Sequence, residues 1–219
     1  MLVDMWMTPD PITIEPTTSV AKAALVMAHR RVRHLAVVDH SRLDAPLVGI
    51  VSAGDVARAF PPDLNPASAA VSETSVPQPI SGIMTRDVRT VASGTAIGAA
   101  ACLMRAEKIG AVPVMRGAHM IGIVTESDVF HALVEMCDPT MGGIRVTFAL
   151  AEDEDVTTTL AELCHAHGAS VTSILAFHHR DRATGERQRL GVVRLQGGED
   201  QLVAALWASR HRVLSVIHE

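Results

Sequence analysis

The sequence contains few aromatic residues: they make up 3% of the chain, and tyrosine is absent. Because hydrophobic residues nevertheless make up 48% of the chain, the core must consist mainly of Val, Ile, Leu, Ala and Met side chains. The sequence also lacks any run of about 18 apolar residues, the length that a transmembrane helix needs. Its first ten residues, MLVDMWMTPD, carry aspartate where a secretory signal carries lysine or arginine. We therefore expect a soluble cytoplasmic protein that does not enter a membrane.

An excess of basic residues and a framework of cysteines are likewise missing. The formal net charge is −5 and the pI is near 6.1, whereas proteins that bind nucleic acid usually carry clustered Lys and Arg. We therefore expect no nucleic-acid partner. The three cysteines, Cys102, Cys137 and Cys164, are odd in number and widely spaced, which favours reduced thiols over disulfides.

What the sequence does contain is an internal repeat. The stretch GIVSAGDVA (49–57) returns as GIVTESDVF (122–130), and WMTPDPITI (6–14) returns as IMTRDVRTV (83–91). The offset is 77 residues at the start of each copy and 73 at its end, so a shorter hairpin loop in the second copy absorbs four residues. Apolar spacing and hydroxyl residues at the helix starts predict βαββα for both copies. We expect Thr18 and Ser19 to cap the first long helix, and Ser93 and Thr95 to cap its equivalent.

Composition divides the chain into four parts. The copies are predicted at residues 1–60 and 81–138, joined by a proline-rich linker at 61–80. Residues 143–219 carry the pattern βαββαβ, which is a ferredoxin-like plan. The predicted fold class is therefore α/β (α+β): two βαββα repeats packed as a pseudo-two-fold pair, followed by a ferredoxin-like domain.

Each repeat ends with a hydroxyl residue and an aspartate three positions apart, Ser52 with Asp55 and Thr125 with Asp128. This spacing is typical of a capping box at a helix N-terminus. The same pattern at two equivalent strand-to-helix turns also favours a nucleotide site. Free amide groups at such a turn attract a phosphate, and a carboxylate accepts hydrogen bonds from two ribose hydroxyls.

These repeats resemble a tandem cystathionine β-synthase (CBS) domain pair. The motifs that carry the resemblance are Met7-Thr8 and Met84-Thr85, the strands HLAVVD and AVPVM, and the GIVSAGD and GIVTESD elements. The resemblance implies two clefts that bind an adenosyl compound such as AMP, ADP, ATP or S-adenosylmethionine, and no other cofactor.

The resemblance also implies a role for individual residues, beginning with ribose contacts from Asp55 and Asp128. Ser52 and Thr125 would face the phosphate, and the nearest cations by position would be His34, Lys108 and Arg116. Adenine would lie against Ile12, Leu35 and Val51 in one cleft, and against Val88, Val112, Pro113 and Val124 in the other. Many relatives place a basic residue before the aspartate, where this chain has Gly54 and Ser127.

The C-terminal third resembles an ACT regulatory domain, and the whole chain is similar to CBS-plus-ACT proteins of the acetoin-utilisation AcuB type. ACT domains that bind amino acids usually have glycine in their first loop, whereas this chain has AEDED (151–155). Because an amino-acid carboxylate would meet like charge there, we favour dimerisation over ligand binding for this domain.

Two other chemistries are set aside. Cys164, His165 and His167, with His178 and His179, suggest zinc, but they do not share one helix face and lack a second close pair, so no metal is expected. No nucleophile stands in a recognised catalytic context, so we expect no enzyme activity. The leading hypothesis is a homodimeric regulator that senses an adenosyl compound and signals to a partner that the sequence does not name. The alternatives are a ligand-free scaffold and an amino-acid sensor.

Overall fold

The computed structural model describes residues 1–59, 78–137, 142–151, 153–181, 183–209 and 211–218, without the side chains of residues 159, 199 and 200. It divides into two compact units, Met1–Met136 and Cys137–Glu219. Most of the predicted linker at 61–80 lies outside the described residues. Among the helices of the described residues, none has both the length and the apolar character needed to cross a membrane.

The first unit contains the two predicted βαββα copies. Each copy has a short strand parallel to a longer one, which pairs antiparallel with the strand that precedes the last helix. The elements of copy 1 are β1 (Thr8–Pro9), β2 (Thr13–Ile14), α1 (Val20–Arg30), β3 (His34–Val38), β4 (Leu47–Ser52) and α2 (Ala53–Ala59). The elements of copy 2 are β5 (Val91–Ala92), α3 (Ile97–Glu107), β6 (Ala111–Arg116), β7 (His119–Thr125) and α4 (Glu126–Cys137).

Each copy sends its opening segment to the other copy. Strand β1 pairs antiparallel with β7, so that Thr8 lies opposite Ile123, and an isolated bridge joins Thr85 to Ile50 in the same manner. Val3 is fully buried in the core of copy 2, while Ile80 is fully buried in the core of copy 1. The exchange is therefore reciprocal, as a pseudo-two-fold relation between the copies requires.

The glycines that open the GIV motifs make this exchange possible. A Cβ atom on Gly49 would lie 2.9 Å from Met84 Cγ and 3.2 Å from the Thr85 carbonyl oxygen. A Cβ atom on Gly122 would meet Met7 and Thr8 in the same way. Glycine is therefore needed where the opening segment of one copy crosses a strand of the other.

The two long helices of this unit start differently. Ser19 caps α1 as predicted, and its Oγ accepts a bond of 3.2 Å from the Lys22 amide. The predicted cap of α3 is wrong, since its N-cap residue is Ala96 and no side chain caps it. The Ser93 hydroxyl instead donates to Asp4 at 2.6 Å, and the Gly94 amide donates to the other oxygen of Asp4 at 2.5 Å. The opening segment of copy 1 thus supplies the acceptor that draws Ser93 away from the helix.

The second unit has the predicted βαββαβ order. Its sheet is antiparallel throughout, with the strand order β11-β8-β10-β9 of a ferredoxin-like fold. Helix α5 ends at Gly168, whose left-handed φ of 64° suits glycine. The elements are β8 (Ile144–Leu150), α5 (Thr157–His167), β9 (Ser170–Arg180), β10 (Arg187–Gln196), α6 (Glu199–Trp207) and β11 (Arg212–His218).

Candidate functional site

Two clefts of similar size open in the first unit. Cleft 1 has a volume of about 300 Å³ and is lined by Thr8, residues 10–12 and 31–34 of copy 1, and Ile123, Thr125 and Ser127 of copy 2. Cleft 2 has a volume of about 350 Å³ and is lined by Ile50, Ser52, Asp55 and Arg58 of copy 1, with Thr85 and residues 87–89 and 108–111 of copy 2. His34 lines both clefts. Both volumes lie near the lower end of the roughly 300–1,000 Å³ that small-molecule sites occupy.

Each cleft combines the hydroxyl-bearing turn of one copy with the opening strand of the other. Asp55 faces the cleft that contains Val88, and Thr125 faces the cleft that contains Ile12. The sequence prediction grouped the apolar residues of each copy in one cleft and assigned neither aspartate to a cleft. The exchange of the opening segments places Asp55 in the cleft that contains Val88.

Both turns form a complete capping box. The Asp55 Oδ2 atom accepts from the Ser52 amide at 2.8 Å and from the Ser52 hydroxyl at 2.6 Å, and the Asp55 amide donates back to that hydroxyl at 3.2 Å. The Asp128 Oδ2 atom accepts from the Thr125 amide at 2.7 Å and from its hydroxyl at 2.8 Å. One oxygen of each carboxylate is thus occupied by the start of its own helix.

The remaining carboxylate oxygens differ between the turns. Asp55 Oδ1 pairs with the Arg58 guanidinium, one helical turn further along α2. Asp128 Oδ1 has no hydrogen-bond or ion-pair partner among the described residues. The carboxylate of Asp128 therefore retains an acceptor that the carboxylate of Asp55 does not.

Fewer amide donors are open at these turns than the sequence suggested. The Ala53 amide donates to the Arg33 carbonyl at 2.8 Å, and the Glu126 amide donates to the Gly110 carbonyl at 3.1 Å. The amides of Ser52 and Asp55 are used in the capping box, as are those of Thr125 and Asp128. A phosphate at either turn therefore depends more on hydroxyls and cationic side chains than on backbone amides.

The cations predicted for the phosphate side are only partly brought to the clefts. His34 lines both clefts and Lys108 lines cleft 2, whereas Arg116 lies at the end of β6 and lines neither of them in the described part of the chain. The pKa of Asp4 is lowered by the bonds from the Ser93 hydroxyl and the Gly94 amide, and to a smaller extent by the charge of Arg116. Arg116 is therefore poorly placed for the predicted role.

Four further arginines line the clefts and were missed by the sequence analysis. Arg33 Nη2 donates to the Ser127 hydroxyl at 3.3 Å and so places a cation at the turn of cleft 1. The 77-residue offset could have revealed another, because it pairs Arg31 with Lys108, and both residues end a helix with a φ of 55°. The four are Arg31 and Arg33 in cleft 1, and Arg58 and Arg89 in cleft 2.

The environment of His34 disfavours its charged form. Burial lowers the pKa of His34 below its usual value of 6.5, and the nearby charge of Arg33 lowers it further. The carboxylates of Glu126 and Asp55 act in the opposite direction without reversing the shift. His34 is thus held neutral between the clefts at neutral pH.

The apolar residues predicted to hold adenine divide into two groups. Ile12 lines cleft 1 and Val88 lines cleft 2. The side chains of Leu35, Val51, Val112 and Val124 are fully buried in the two cores and line neither cleft. Pro113 is buried in β6 opposite Ile123 and likewise lines neither cleft. For these five, the predicted pocket role does not agree with their positions, and Val32 and Ile109 supply apolar surface instead.

The residues considered for zinc lie in the second unit. Cys164 is buried in its core, where burial raises the pKa of the thiol. Within the residues that the structure describes, no three His, Cys, Asp or Glu side chains come together as a metal site would require.

The acidic loop AEDED is held by its own carboxylates. Glu154 Oε2 accepts from the Ala151 amide at 2.8 Å, and Oε1 pairs with the buried His211 ring. Asp155 accepts from the amide and hydroxyl of Thr157 at the start of α5. Arg189 donates to the carbonyls of Ala151 and Glu154 at 3.1 Å each. Within this loop the carboxylates of Glu154 and Asp155 therefore already have partners.

Comparison with known proteins agrees with the repeat. A family model of the CBS domain matches residues 3–62 and 80–135. The chain belongs to the CBS domain family. A curated relative, homoserine O-acetyltransferase of Methanocorpusculum labreanum, is 32% identical over 126 residues, which are 57% of this chain and 23% of that protein. The chain thus spans less than a quarter of that relative's length.

Solved structures of CBS pairs resemble this chain over about three fifths of its length. The candidate acetoin utilization protein AcuB from Vibrio cholerae is 28% identical, with a TM-score of 0.51, over 63% of this chain and 93% of that one. The CBS pair of MJ0100, in complex with 5′-methylthioadenosine and S-adenosyl-L-methionine, is 27% identical, with a TM-score of 0.52, over 62% of this chain and 97% of that one. CBSX2 in complex with AMP is 28% identical, with a TM-score of 0.50, over 62% of this chain and 98% of that one.

Proposed function

We propose that the CBS pair of this protein is a regulatory sensor of an adenosyl compound. The observation that carries the proposal is the pair of clefts, each with a hydroxyl residue at a strand-to-helix turn opposite the opening strand of the other copy. Asp55 lines cleft 2, whereas Asp128 belongs to the turn whose residues Thr125 and Ser127 line cleft 1 and does not itself line that cleft. Similar CBS pairs hold AMP, S-adenosylmethionine or 5′-methylthioadenosine. These ligands share adenine and ribose, so the adenosyl group is the common element of recognition.

Each part of such a ligand finds a suitable group in the clefts. Ribose hydroxyls donate to the carboxylates of Asp55 and Asp128, since a carboxylate accepts on both oxygens. A phosphate, where the ligand has one, binds the hydroxyls of Ser52 and Thr125 and nearby cations. The faces of adenine pack against Ile12 and Val32 in cleft 1 and against Val88 and Ile109 in cleft 2. Signalling follows if the ligand prefers one arrangement of the copies over another.

The capping boxes favour a second candidate, a ligand-free scaffold. In that case Asp55 and Asp128 serve only their helices, and removing each one costs about 1 kcal/mol of stability without affecting any ligand. Substitution by asparagine separates the candidates. The amide oxygen keeps the capping bonds, while the ribose loses its charged acceptor.

The test is a thermal-shift and calorimetric screen against AMP, ADP, ATP, S-adenosylmethionine, NAD and amino acids. A ligand that binds the folded state raises the melting temperature. We expect a shift with an adenosyl compound that is reduced in Asp55→Asn and Asp128→Asn but kept in the control Asp153→Asn, whose residue lies outside the CBS pair. No shift at millimolar concentrations of any adenosyl compound would favour the scaffold. A shift with an amino acid alone would assign sensing to the second unit.

For the second unit we propose homodimerisation rather than amino-acid binding. Strand β9 is an edge strand of 11 residues, and Ile174, Leu175 and Phe177 on it are 47%, 40% and 39% exposed. A long apolar edge pairs readily with a second copy. Leu175→Lys should shift the mass measured by light scattering toward the monomer. The change Leu43→Lys, at a fully exposed leucine of the first unit, should leave it unchanged, and a dimer that survives Leu175→Lys would exclude this edge.

A further inference from the structure

The two turns differ in how far their carboxylates are already satisfied. Both oxygens of Asp55 are engaged, Oδ2 by Ser52 and Oδ1 by the Arg58 guanidinium. Asp128 uses only Oδ2. The residue equivalent to Arg58 in copy 2 is His131, which bonds Glu135 at 3.3 Å and not Asp128. A ribose in cleft 2 must therefore compete with an arginine for which cleft 1 has no counterpart among the described residues.

The turns also differ in the cation that faces them from the other copy. In cleft 1 the Arg33 guanidinium lies against the Ser127 hydroxyl at 3.3 Å. The equivalent residue in cleft 2 is Gly110, where even a Cβ atom would lie 3.1 Å from the His34 ring. Arg89 of cleft 2 is paired with Asp87 and with Glu107, at 3.9 and 3.6 Å. Among the described residues, the arginine at the turn of cleft 1 thus bonds a neutral hydroxyl, while the arginine at the turn of cleft 2 pairs with the carboxylate of Asp55.

We propose that the clefts are not equivalent: cleft 1 is the primary site for a phosphorylated adenosyl compound, with Arg33 as its phosphate ligand, and Arg58 obstructs cleft 2. This rests on the proposed function. The residue immediately before Asp128 is Ser127, which carries no charge. Arg33 of copy 1 supplies the positive charge at this turn instead. Arg58 occupies the oxygen of Asp55 that a ribose hydroxyl needs, so cleft 2 fills at higher ligand concentration.

Simple magnitudes set the expected effects. Arg58 is 74% exposed in its side chain, and exposed pairs of this kind contribute a factor of roughly two to five. Removing Arg58 should strengthen binding in cleft 2 by that factor. A hydrogen bond to a charged group is stronger than a neutral one, so removing Arg33 should weaken AMP binding in cleft 1 by about tenfold or more. Adenosine has no phosphate, and its affinity should change little when Arg33 is removed.

Calorimetric titration with AMP and with adenosine tests the proposal on the full chain. The variants are Arg33→Ala, Arg58→Ala and the control Arg105→Ala, which removes an equal charge from an exposed site on α3 outside both clefts. Asp128→Asn and Asp55→Asn assign each binding step to cleft 1 or cleft 2. We expect two unequal AMP steps in the unaltered chain, a weaker first step in Arg33→Ala with AMP only, and a stronger second step in Arg58→Ala.

Other outcomes overturn the proposal in distinguishable ways. A weaker second step in Arg58→Ala would make Arg58 a ligand-binding residue rather than an obstruction. Equal losses of AMP and adenosine in Arg33→Ala, or two equal steps in the unaltered chain, would show that cleft 1 is not a selective phosphate site. If neither AMP nor adenosine binds the unaltered chain, the proposed function itself fails for these ligands, and this inference fails with it.

Discussion

Adding one methyl group at Gly122 tests the crossing of the two copies. In Gly122→Ala the new Cβ atom lies 2.9 Å from Met7 Cγ and 3.1 Å from the Thr8 carbonyl oxygen. The thioether of Met7 is flexible and can move aside. The carbonyl oxygen belongs to β1, whose pairing with β7 fixes its distance from Gly122, so the two strands must separate.

The expected cost follows from two opposing terms. Overpacking a filled site costs about 1–3 kcal/mol, while replacing glycine by alanine returns about 0.4–1 kcal/mol by restricting the unfolded chain. We therefore expect Gly122→Ala to lower the free energy of unfolding by about 0–2.6 kcal/mol, the difference between the two terms. The matched control is Gly98→Ala on α3, where a Cβ atom meets nothing within 4 Å. This control should stabilise the chain by up to about 1 kcal/mol.

The assay is urea unfolding followed by the fluorescence of Trp6. The chain has two tryptophans, and Trp207 lies in the second unit and is 55% exposed, so a Trp207→Phe background isolates the signal of the CBS pair. In a Met7→Ala background Gly122→Ala should keep most of its cost, because the close approach to the Thr8 carbonyl oxygen remains. If Gly122→Ala matches Gly98→Ala in stability, or if Met7→Ala abolishes its cost, the proposed reason for glycine at this crossing is wrong.

Three further predictions concern single side chains. Because the folded state lowers the pKa of His34 from 6.5, mainly through burial and then through Arg33, the contribution of His34 to stability is complete above pH 6.5. This stabilising contribution falls as the pH drops from 6.5 toward the pKa of His34 in the folded state. In unfolding titrations at several pH values, His34→Gln should remove the loss of stability over that range. Bonds from the Ser93 hydroxyl and then the Gly94 amide lower the pKa of Asp4, so its contribution is present above pH 3.8 and is lost as the pH falls through the folded pKa. Asp4→Ala should accordingly lower the melting temperature at pH 7. In acid, the difference in melting temperature between this variant and the unaltered chain should become smaller. Glu154→Ala removes the carboxylate partner of the His211 side chain, which is 1% exposed, and should cost about 1–3 kcal/mol. Trp207 fluorescence in a Trp6→Phe background measures that loss, and the exposed change Glu162→Ala should be near neutral.

The βαββα pattern of each repeat could be predicted because it depends on neighbours in sequence. Hydroxyl and glycine positions at element ends, with apolar spacing between them, report local structure, and α1 starts at Val20 after Ser19 as that logic requires. The exchange of opening segments could not be read in this way. A repeat shows that Thr8 and Thr85 occupy equivalent environments, but it does not show which copy provides those environments. Which copy provides the environment is decided by contacts between residues distant in sequence, such as Thr8 and Ile123, which are 115 residues apart.

Burial on both faces of the longer strands explains why the predicted adenine contacts were partly misplaced. The strand HLAVV has four consecutive buried residues after His34, which indicates a strand covered on both faces rather than one with an open face. Leu35 thus packs in the core of copy 1. Leu35 and Val112 lie in continuous apolar runs and could therefore have been assigned to the cores. The stretches 10–12 and 87–89 are less uniformly apolar and could have been assigned to the cleft walls.

Capping and ligand binding, treated as competing interpretations of the repeated aspartates, use different atoms. In both turns the capping bonds go to Oδ2, and Oδ1 is the atom that distinguishes the turns. A residue that holds a helix start in place also holds its second oxygen in a fixed direction, because the two oxygens belong to one planar group. Capping therefore fixes the direction of the second oxygen and does not by itself exclude the proposed ribose contact. For this reason loss of stability in an Asp→Ala variant is no argument against a ligand, whereas Asp→Asn, which keeps the cap and changes only the second acceptor, addresses the ligand directly.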